Sequence, residues 1–510
     1  MNINNIQVLT SFQEYGMADI IQLCNDIGSR YSLIVASNRG PVQYRVINEI
    51  IEGRRATGGV ATALNTLAHT LDFTWVSSAM GEADRLAVEG IGGSALASPI
   101  PGHKLHLKFV ISSRRIYHKF YNVLCNPLLW FLHHYMWNPP YNPNIDHAIH
   151  DAWETGYTAV NRAFSDSILD SIEKASLPPI VLSHDYHLYL VPGFIRDGCS
   201  EAIIQHYVHV PWPTPRYWQM LPSYMVEAIC VSLCKADIVG FQTDQDVQSF
   251  LDCIEAFAPE SKVERSTNTI TTGARTCRAK TYPMSVNVEE VRAIANAPRA
   301  IEYEKSLGKS SGKQTIVRIE RVEPHKNIVR GLKAYELLLK DHQELHRHVS
   351  FLALLVPSRT HIQQYRRYMD DIHAVIKQIN DTYSTGDWTP IEAFIENNYA
   401  QAVAAMKIYD VLLVNTLIEG TNLIAKEGPV INLRNGVLIL SKTSGAYPEL
   451  ASGVLAVTPT DIEDTAAAMY KAVTMDLSER ENFADFLRTS IEENDLDKWL
   501  YSQLSDLAAL

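Results

Sequence analysis

Three short stretches concentrate residue types that grip phosphate or respond to moving charge. "RIERVEPHKNIVRG" sets Arg321 and Lys326 five residues apart across a proline-containing turn. A guanidinium fork and an ammonium point charge at that spacing can converge on a diphosphate; the plain alternative is a solvated basic turn. "LSHDYHLYLVPG" crowds His184, Asp185 and His187 at the end of an apolar run, where a buried carboxylate needs a reason. A substrate-binding carboxylate with neighbouring donors fits these residues better than a metal site, and a satisfied loop network is the competing reading. "NTLIEGTNLIAKEG", residues 415–428, holds Glu419 and Glu427 around Gly420, Thr421 and Asn422. A helix beginning near Thr421 or Asn422 leaves the amides of Leu423 and Ile424 as unbonded donors suited to phosphate. Glu419, before that helix, is then an acceptor for sugar hydroxyls. Glu427, about a turn and a half in, is placed to hold a ribose.

Weaker signals accompany these. "ASNRGP" leaves Arg39 at a strand end, and "VPSR" does the same for Arg359. "ATGGVATALNTL" puts Gly58 and Gly59 at a helix start, where backbone amides approach an anion closely, although paired glycines are as often only a turn. "YVHVPWPTPRYWQMLP" follows His209 with four prolines and two tryptophans. Proline stiffens the loop, so its aromatics are either sugar platforms or core.

The elements that must position these residues alternate. Short β-branched runs ("SLIVAS", "PIVLSH", "IIQHYVHV", "QTIVRIE", "VSFLALLVP", "DVLLVN", "GVLILS") are separated by amphipathic helical patterns, as in α/β proteins with parallel sheets. The stretch from Glu290 to Gln314 divides two sets of such units, with the boundary near 285–312. Two doubly wound α/β domains follow, with a ligand cleft at the carboxyl ends of both sets of strands. A length of 510 residues fits two domains. The net charge of −12 argues against nucleic acid as the main partner, while leaving room for small phosphorylated ligands in an arginine-lined cleft. No apolar run reaches the ~18 residues of a membrane span, and the start "MNINNIQVLTSFQEYG" lacks the pattern of a secretion signal. Seven scattered cysteines read as reduced core thiols of a cytoplasmic protein.

Nine motifs in order, "SNRGP", "GGVATAL", "YNVLCNPLLW", "HDYHL", "HVPWPTP", "DIVGFQT", "ERVEPHKN", "VPSR" and "EGTNLIAKE", resemble the trehalose-6-phosphate synthase family of retaining glycosyltransferases over roughly residues 31–475. The resemblance implies a GT-B fold: an N-terminal extension (1–30), an acceptor-binding Rossmann-like domain (31–290), a nucleotide-sugar-binding one (291–480) and a C-terminal helical segment (481–510) packing back on the first. It implies transfer of glucose from GDP- or UDP-glucose to glucose 6-phosphate, with no metal or cofactor, no nucleic-acid or membrane partner, and room for a homo-oligomer. Carried over residue by residue, Asp185, His209, Arg321 and Lys326 form the catalytic set. Arg39, Tyr121, Trp130, Tyr186 and Arg359 match acceptor positions, the two arginines at its phosphate. Gly58, Gly59, Arg321 and Lys326 match the donor diphosphate, and Asn422, Leu423, Ile424 and Glu427 the nucleotide end. Glu419, with Gly420 and Thr421, matches the donor hexose, and the carbonyl of His209 the anomeric centre. The chain departs where the family has Asp-Gly-Met-Asn and this sequence has Glu419-Gly420-Thr421-Asn422, and a tryptophan common after the Gly-Gly helix has no clear match. Several loops lean to an actinobacterial-type branch and are similar to a pseudo-glycosyltransferase that joins GDP-valienol to validamine 7-phosphate. A catalytically silent sugar-phosphate sensor is the further alternative.

Overall fold

The computed structural model describes residues 17–56, 63–89, 94–310 and 314–510. Among them the strands form two large sheets and one hairpin. Ten strands make the first sheet, in the order Ser261–Glu264, Thr269–Thr272, Arg275–Thr281, Ile238–Phe241, Ile203–Tyr207, Pro179–His184, Ser32–Ser37, Thr74–Ser78, His106–Val110, Leu96–Ala97. The run from Arg275–Thr281 to His106–Val110 is parallel, with antiparallel strands added at both edges. Six parallel strands make the second sheet: Ile391–Phe394, Val349–Val356, Gln314–Arg321, Val411–Val414, Val437–Ser441 and Val454–Val457. Strands such as Pro179–His184 and Val437–Ser441 are buried at every position, as parallel sheets covered on both faces require.

Strand order reverses in the first sheet between Ser32–Ser37 and Pro179–His184, and in the second between Gln314–Arg321 and Val411–Val414. Open α/β sheets bind ligands outside the carboxyl ends of strands at such points. Arg39 and Asp185 follow the first pair of strands; Arg321, Lys326 and Glu419 follow the second.

Two wide π-helical stretches, His118–Leu129 and Trp153–Thr158, pack against each other over the first sheet. Pro127 lies inside the first of them and has no N–H to donate. Helical widening of this kind recurs at functional sites, and this one carries Tyr121 and leads into Trp130. The helices Val288–Ala295 and Pro298–Ser310 put Val288, Val291, Ala295, Ala300 and Leu307 into the core of the second sheet. Helix Leu477–Glu493 adds Leu487 and Ile491 to the same core. The next helix, Leu496–Ala508, crosses back and packs Trp499, Leu500, Leu504 and Leu507 with Ile20, Cys24 and Ile27 of helix Met17–Arg30. Lys280 and Tyr282 fasten it through Asp506, each at 2.6 Å. All seven cysteines are free thiols. Among the described residues no helix is long and apolar enough to cross a membrane.

Candidate active site

On the first sheet the chain leaves His184 and turns sharply at Asp185, whose backbone lies at φ 75, ψ 166. That region is essentially reserved for glycine, and a side chain held there costs about 1–3 kcal/mol. The Asp185 amide donates to the Tyr207 carbonyl at 2.8 Å and its own carbonyl accepts from Leu188 at 3.0 Å, which fixes the turn. One carboxylate oxygen, Oδ1, is buried without a hydrogen-bond partner, and Oδ2 faces His187 Nδ1 at 3.5 Å. Burial opposes the charge of Asp185, but the hydrogen bond to His187 and the electrostatic interaction with the His187 and His209 rings outweigh it, so the carboxyl stays below the usual range and ionised. Beside it, His184 Nδ1 and His209 Nε2 lie 3.2 Å apart. Burial pushes His209 down to about 4 and His184 well below its ordinary value, so the pair is neutral at physiological pH.

Tyr121 stacks on His187 with ring centroids 5.9 Å apart. Tyr186 packs on Trp130 at 5.7 Å and donates its hydroxyl to Asn126 at 3.1 Å. From the second sheet, Arg359 lies over the Trp130 ring at 4.3 Å and donates to the Tyr365 hydroxyl at 2.7 Å. Arg359 is itself at φ 45. Tyr121, Trp130, Tyr186 and Arg359 are thus one cluster built from both sheets. Arg39 is exposed at the end of Ser32–Ser37, and its charge reaches Tyr117 beside the cluster.

After Gln314–Arg321 the chain makes a turn whose Lys326 ammonium is buried among carboxylates. It donates to Glu419 at 2.8 and 3.1 Å and meets Glu320 at 3.0 Å. Burial lowers the Lys326 pKa, but Glu320 and Glu419 prevail and hold it above the ordinary value. Burial raises Glu419, Lys326 opposes this and Glu320 adds to it, leaving Glu419 above the carboxylate range. Arg318, fully buried beneath, donates to Asn415 at 2.5 Å and to the Lys326 carbonyl, locking the turn in place. Arg321 is 53% exposed and pairs with Glu323 at 2.9 Å.

The two halves touch at Gly420. A Cβ there would sit 2.3 Å from the His209 carbonyl oxygen, and one on Gly445 would sit 1.6 Å from the carbonyl oxygen of Gly420. Only glycine permits either approach. His325 also crosses, packing its ring 5.5 Å from Trp130 and 4.4 Å from His134.

A family model for glycosyltransferase family 20 matches residues 31–509. The chain belongs to glycosyltransferase family 20. A trehalose-6-phosphate synthase of Escherichia coli O9:H4 (strain HS) is 30% identical over 394 residues, 76% of this chain and 80% of that protein. The E. coli trehalose-6-phosphate structure bound with UDP-2-fluoro glucose is similar with a TM-score of 0.80 at 26% identity, covering 94% of this chain and 99% of that one. An α,α-trehalose-phosphate synthase (UDP-forming) from Burkholderia xenovorans in complex with glucose-6-phosphate gives 0.78 at 25% identity, covering 94% and 100%. The fold is GT-B, and the chain is a glycosyltransferase enzyme of the trehalose-6-phosphate synthase family.

One sequence expectation changes for this glycosyltransferase. The helix expected from Thr421 or Asn422 runs from Ile424 to Ile431, because the Asn422 side chain accepts from the Ala425 amide at 3.1 Å and Leu423 becomes the cap. Trp212 and Trp218 are core, packed on His133, Phe241 and Phe250, and offer no sugar platform. Lys326, matched to the donor diphosphate, points at two acids, Glu419 and Glu320. Glu419 is correspondingly tied to Lys326, and Glu427 lies apart from it, with Oε2 unpartnered, against Tyr399. Burial pushes Glu427 up to about 7. Gly58 and Gly59 lie outside the described residues. Sequence reasoning passed over Glu320, Glu323 and His325. The signal was there: charged residues at the end of a buried strand need partners, and "RIERVEPH" holds several.

Proposed function

We propose that the chain transfers glucose from a nucleoside-diphosphate glucose, GDP- or UDP-linked, to glucose 6-phosphate and yields α,α-trehalose 6-phosphate with retention. The observation that carries this is the contact of the His209 carbonyl with Gly420, which joins the strand ends bearing Asp185 to the turn bearing Lys326 and Glu419. In this reading Arg321 and Lys326 meet the negative charge that grows on the leaving diphosphate. The His209 carbonyl faces the positive charge growing at the anomeric carbon. Arg359 and Arg39 take the acceptor phosphate against Tyr121, Trp130 and Tyr186, and Asp185 accepts from a sugar hydroxyl. As the anomeric C–O bond to phosphate breaks, the acceptor oxygen attacks from the same face and its proton passes to the departing phosphate oxygen. No enzyme nucleophile and no metal or other cofactor takes part, so a chelator leaves the rate unchanged. The relatives bound with UDP-2-fluoro glucose and with glucose-6-phosphate support the substrate pair.

One observation favours a second reading. The longer side chain of Glu419 reaches Lys326 and reshapes the hexose pocket, which suits a pseudo-sugar donor such as a nucleotide-activated cyclitol with an aminocyclitol phosphate acceptor. Incubation with UDP- or GDP-glucose and glucose 6-phosphate, with mass spectrometry of the product, decides between them. Trehalose 6-phosphate formation that is lost in Arg321→Ala and Asp185→Asn supports the first. Coupling of cyclitol substrates without glucose transfer sinks it, and sugar-phosphate binding with no turnover on any donor points to a sensor.

A further inference from the structure

Glu323 is fully buried, yet it lies between the two arginines that face different substrates. Its Oε1 pairs with Arg321 Nη1 at 2.9 Å, accepts from Ser358 Oγ at 2.8 Å and lies 3.7 Å from Arg359 Nη1. Oε2 is buried without a hydrogen-bond partner, with His325 Nδ1 at 3.6 Å. Burial alone would neutralise this carboxyl, but Arg321 and Arg359, helped by Ser358, hold it below its ordinary value and therefore charged. The two arginines follow neighbouring strands: Arg321 pairs in register with Val356, three residues before Arg359. A guanidinium has more donors than one carboxylate oxygen uses, so each arginine keeps an edge for a phosphate.

Granted the substrate assignment above, on which this rests, the geometry points to Glu323 as a positioning residue that couples the two phosphate subsites through one shared carboxylate. An acceptor phosphate at Arg359 draws that guanidinium off Glu323. The carboxylate then belongs to Arg321 alone and fixes it for the donor diphosphate; donor binding at Arg321 acts on Arg359 in the same way. Linkage makes the effect reciprocal.

The test measures binding by calorimetry, with UDP or GDP and with glucose 6-phosphate, each alone and with the other saturating. In the unmodified protein each ligand shifts the affinity of the other by about fivefold or more. Glu323→Gln keeps the shape and loses the charge, so the two affinities become independent. Free phosphate then binds at least as tightly, because one negative charge has gone. A residue that served only to hold the fold would weaken every ligand together. Glu323→Asp restores part of the coupling, and Ser358→Ala, a milder change that keeps the carboxylate, reduces it if Glu323→Gln fails to fold. Coupling that survives unchanged in these variants, or is absent in the unmodified protein while both ligands bind, overturns the inference and leaves the substrate assignment standing. Failure of the unmodified protein to bind either ligand overturns both.

Discussion

Lys326→Met removes the cation that Glu320 and Glu419 share. The acid side chains are 2% and 4% exposed and the lysine 11%, so water cannot replace it. Removing one partner of a buried ion pair costs about 3–5 kcal/mol at neutral pH. The cost depends on pH in a definite direction. Glu419 is already raised by burial and by Glu320, with Lys326 first and a hydrogen bond to Asn422 after it pulling it down. A carboxyl raised in the folded state binds more protons folded than unfolded, so stability falls as pH climbs from the ordinary carboxyl range toward and past neutrality. Without Lys326 the rise is larger and the fall steeper. Urea unfolding at about pH 5 and about pH 8 therefore shows a small deficit for Lys326→Met in acid and most of the 3–5 kcal/mol in alkali. Glu419→Gln keeps an acceptor for Lys326 and changes stability little. Placed in the Lys326→Met background it recovers about 1–3 kcal/mol at the higher pH, the coupling expected of groups in direct contact. A deficit that is the same at both pH values and additive with Glu419→Gln would refute the assignment of Lys326 as counter-ion to these acids.

Asp185→Gly relieves the strained backbone, worth about 1–3 kcal/mol, and removes the carboxylate; turnover disappears while the thermal midpoint does not fall, which a melting curve beside a rate assay checks. Gly420→Ala drives a methyl into the His209 carbonyl, and pushing the two sheets apart there costs at least the 1–3 kcal/mol typical of overpacking, with loss of activity at unchanged secondary structure by circular dichroism. With Glu427 pushed up to about 7 by burial, the donor KM rises as pH falls through neutrality, since the protonated acid accepts hydroxyl hydrogen bonds less well. Glu427→Gln gives a donor KM that is high and flat over the same range.

Much of the frame was legible because parallel strands buried on both faces announce themselves as apolar runs. All seven runs named from the sequence are strands, from Ser32–Ser37 to Val437–Ser441. Strands of the same buried parallel kind also went unnamed where they are only four or five residues long, as in Thr74–Ser78, Ile238–Phe241 and Val454–Val457, and so did the partly polar antiparallel strands Ser261–Glu264 and Thr269–Thr272 and the hairpin Val42–Ile47 with Ile50–Arg55, which lies outside both sheets. Asp185, His187 and His209 were legible as chemistry because polar residues at apolar strand ends are conspicuous. The Lys326 network was not. Its members are consecutive in space and 93 residues apart in the chain, and no local pattern tells whether a lysine after a strand faces water or two acids. Trp212 and Trp218 could be read either way for the same reason: a proline-rich loop reads as surface, while the core that receives Trp212 is walled by Phe241 and Phe250 from the following strand and helix, with Trp218 packed on Trp212.

The helix Leu496–Ala508 has a consequence in time. Trp499 sets its ring edge-on against Tyr207 at 5.5 Å, and Tyr207 in turn packs 4.6 Å from His209. The wall behind a residue of the candidate site is therefore made later than every strand of both sheets. While residues 314–457 are being made and wound into the second sheet, the first stands with Ile20, Cys24, Ile27 and Tyr207 bare on one side. A chain that ends between the last strand, Val454–Val457, and residue 496 carries every candidate site residue and still leaves this apolar flank uncovered. The flank behind the candidate site is thus closed by a helix that follows every strand of both sheets in the chain.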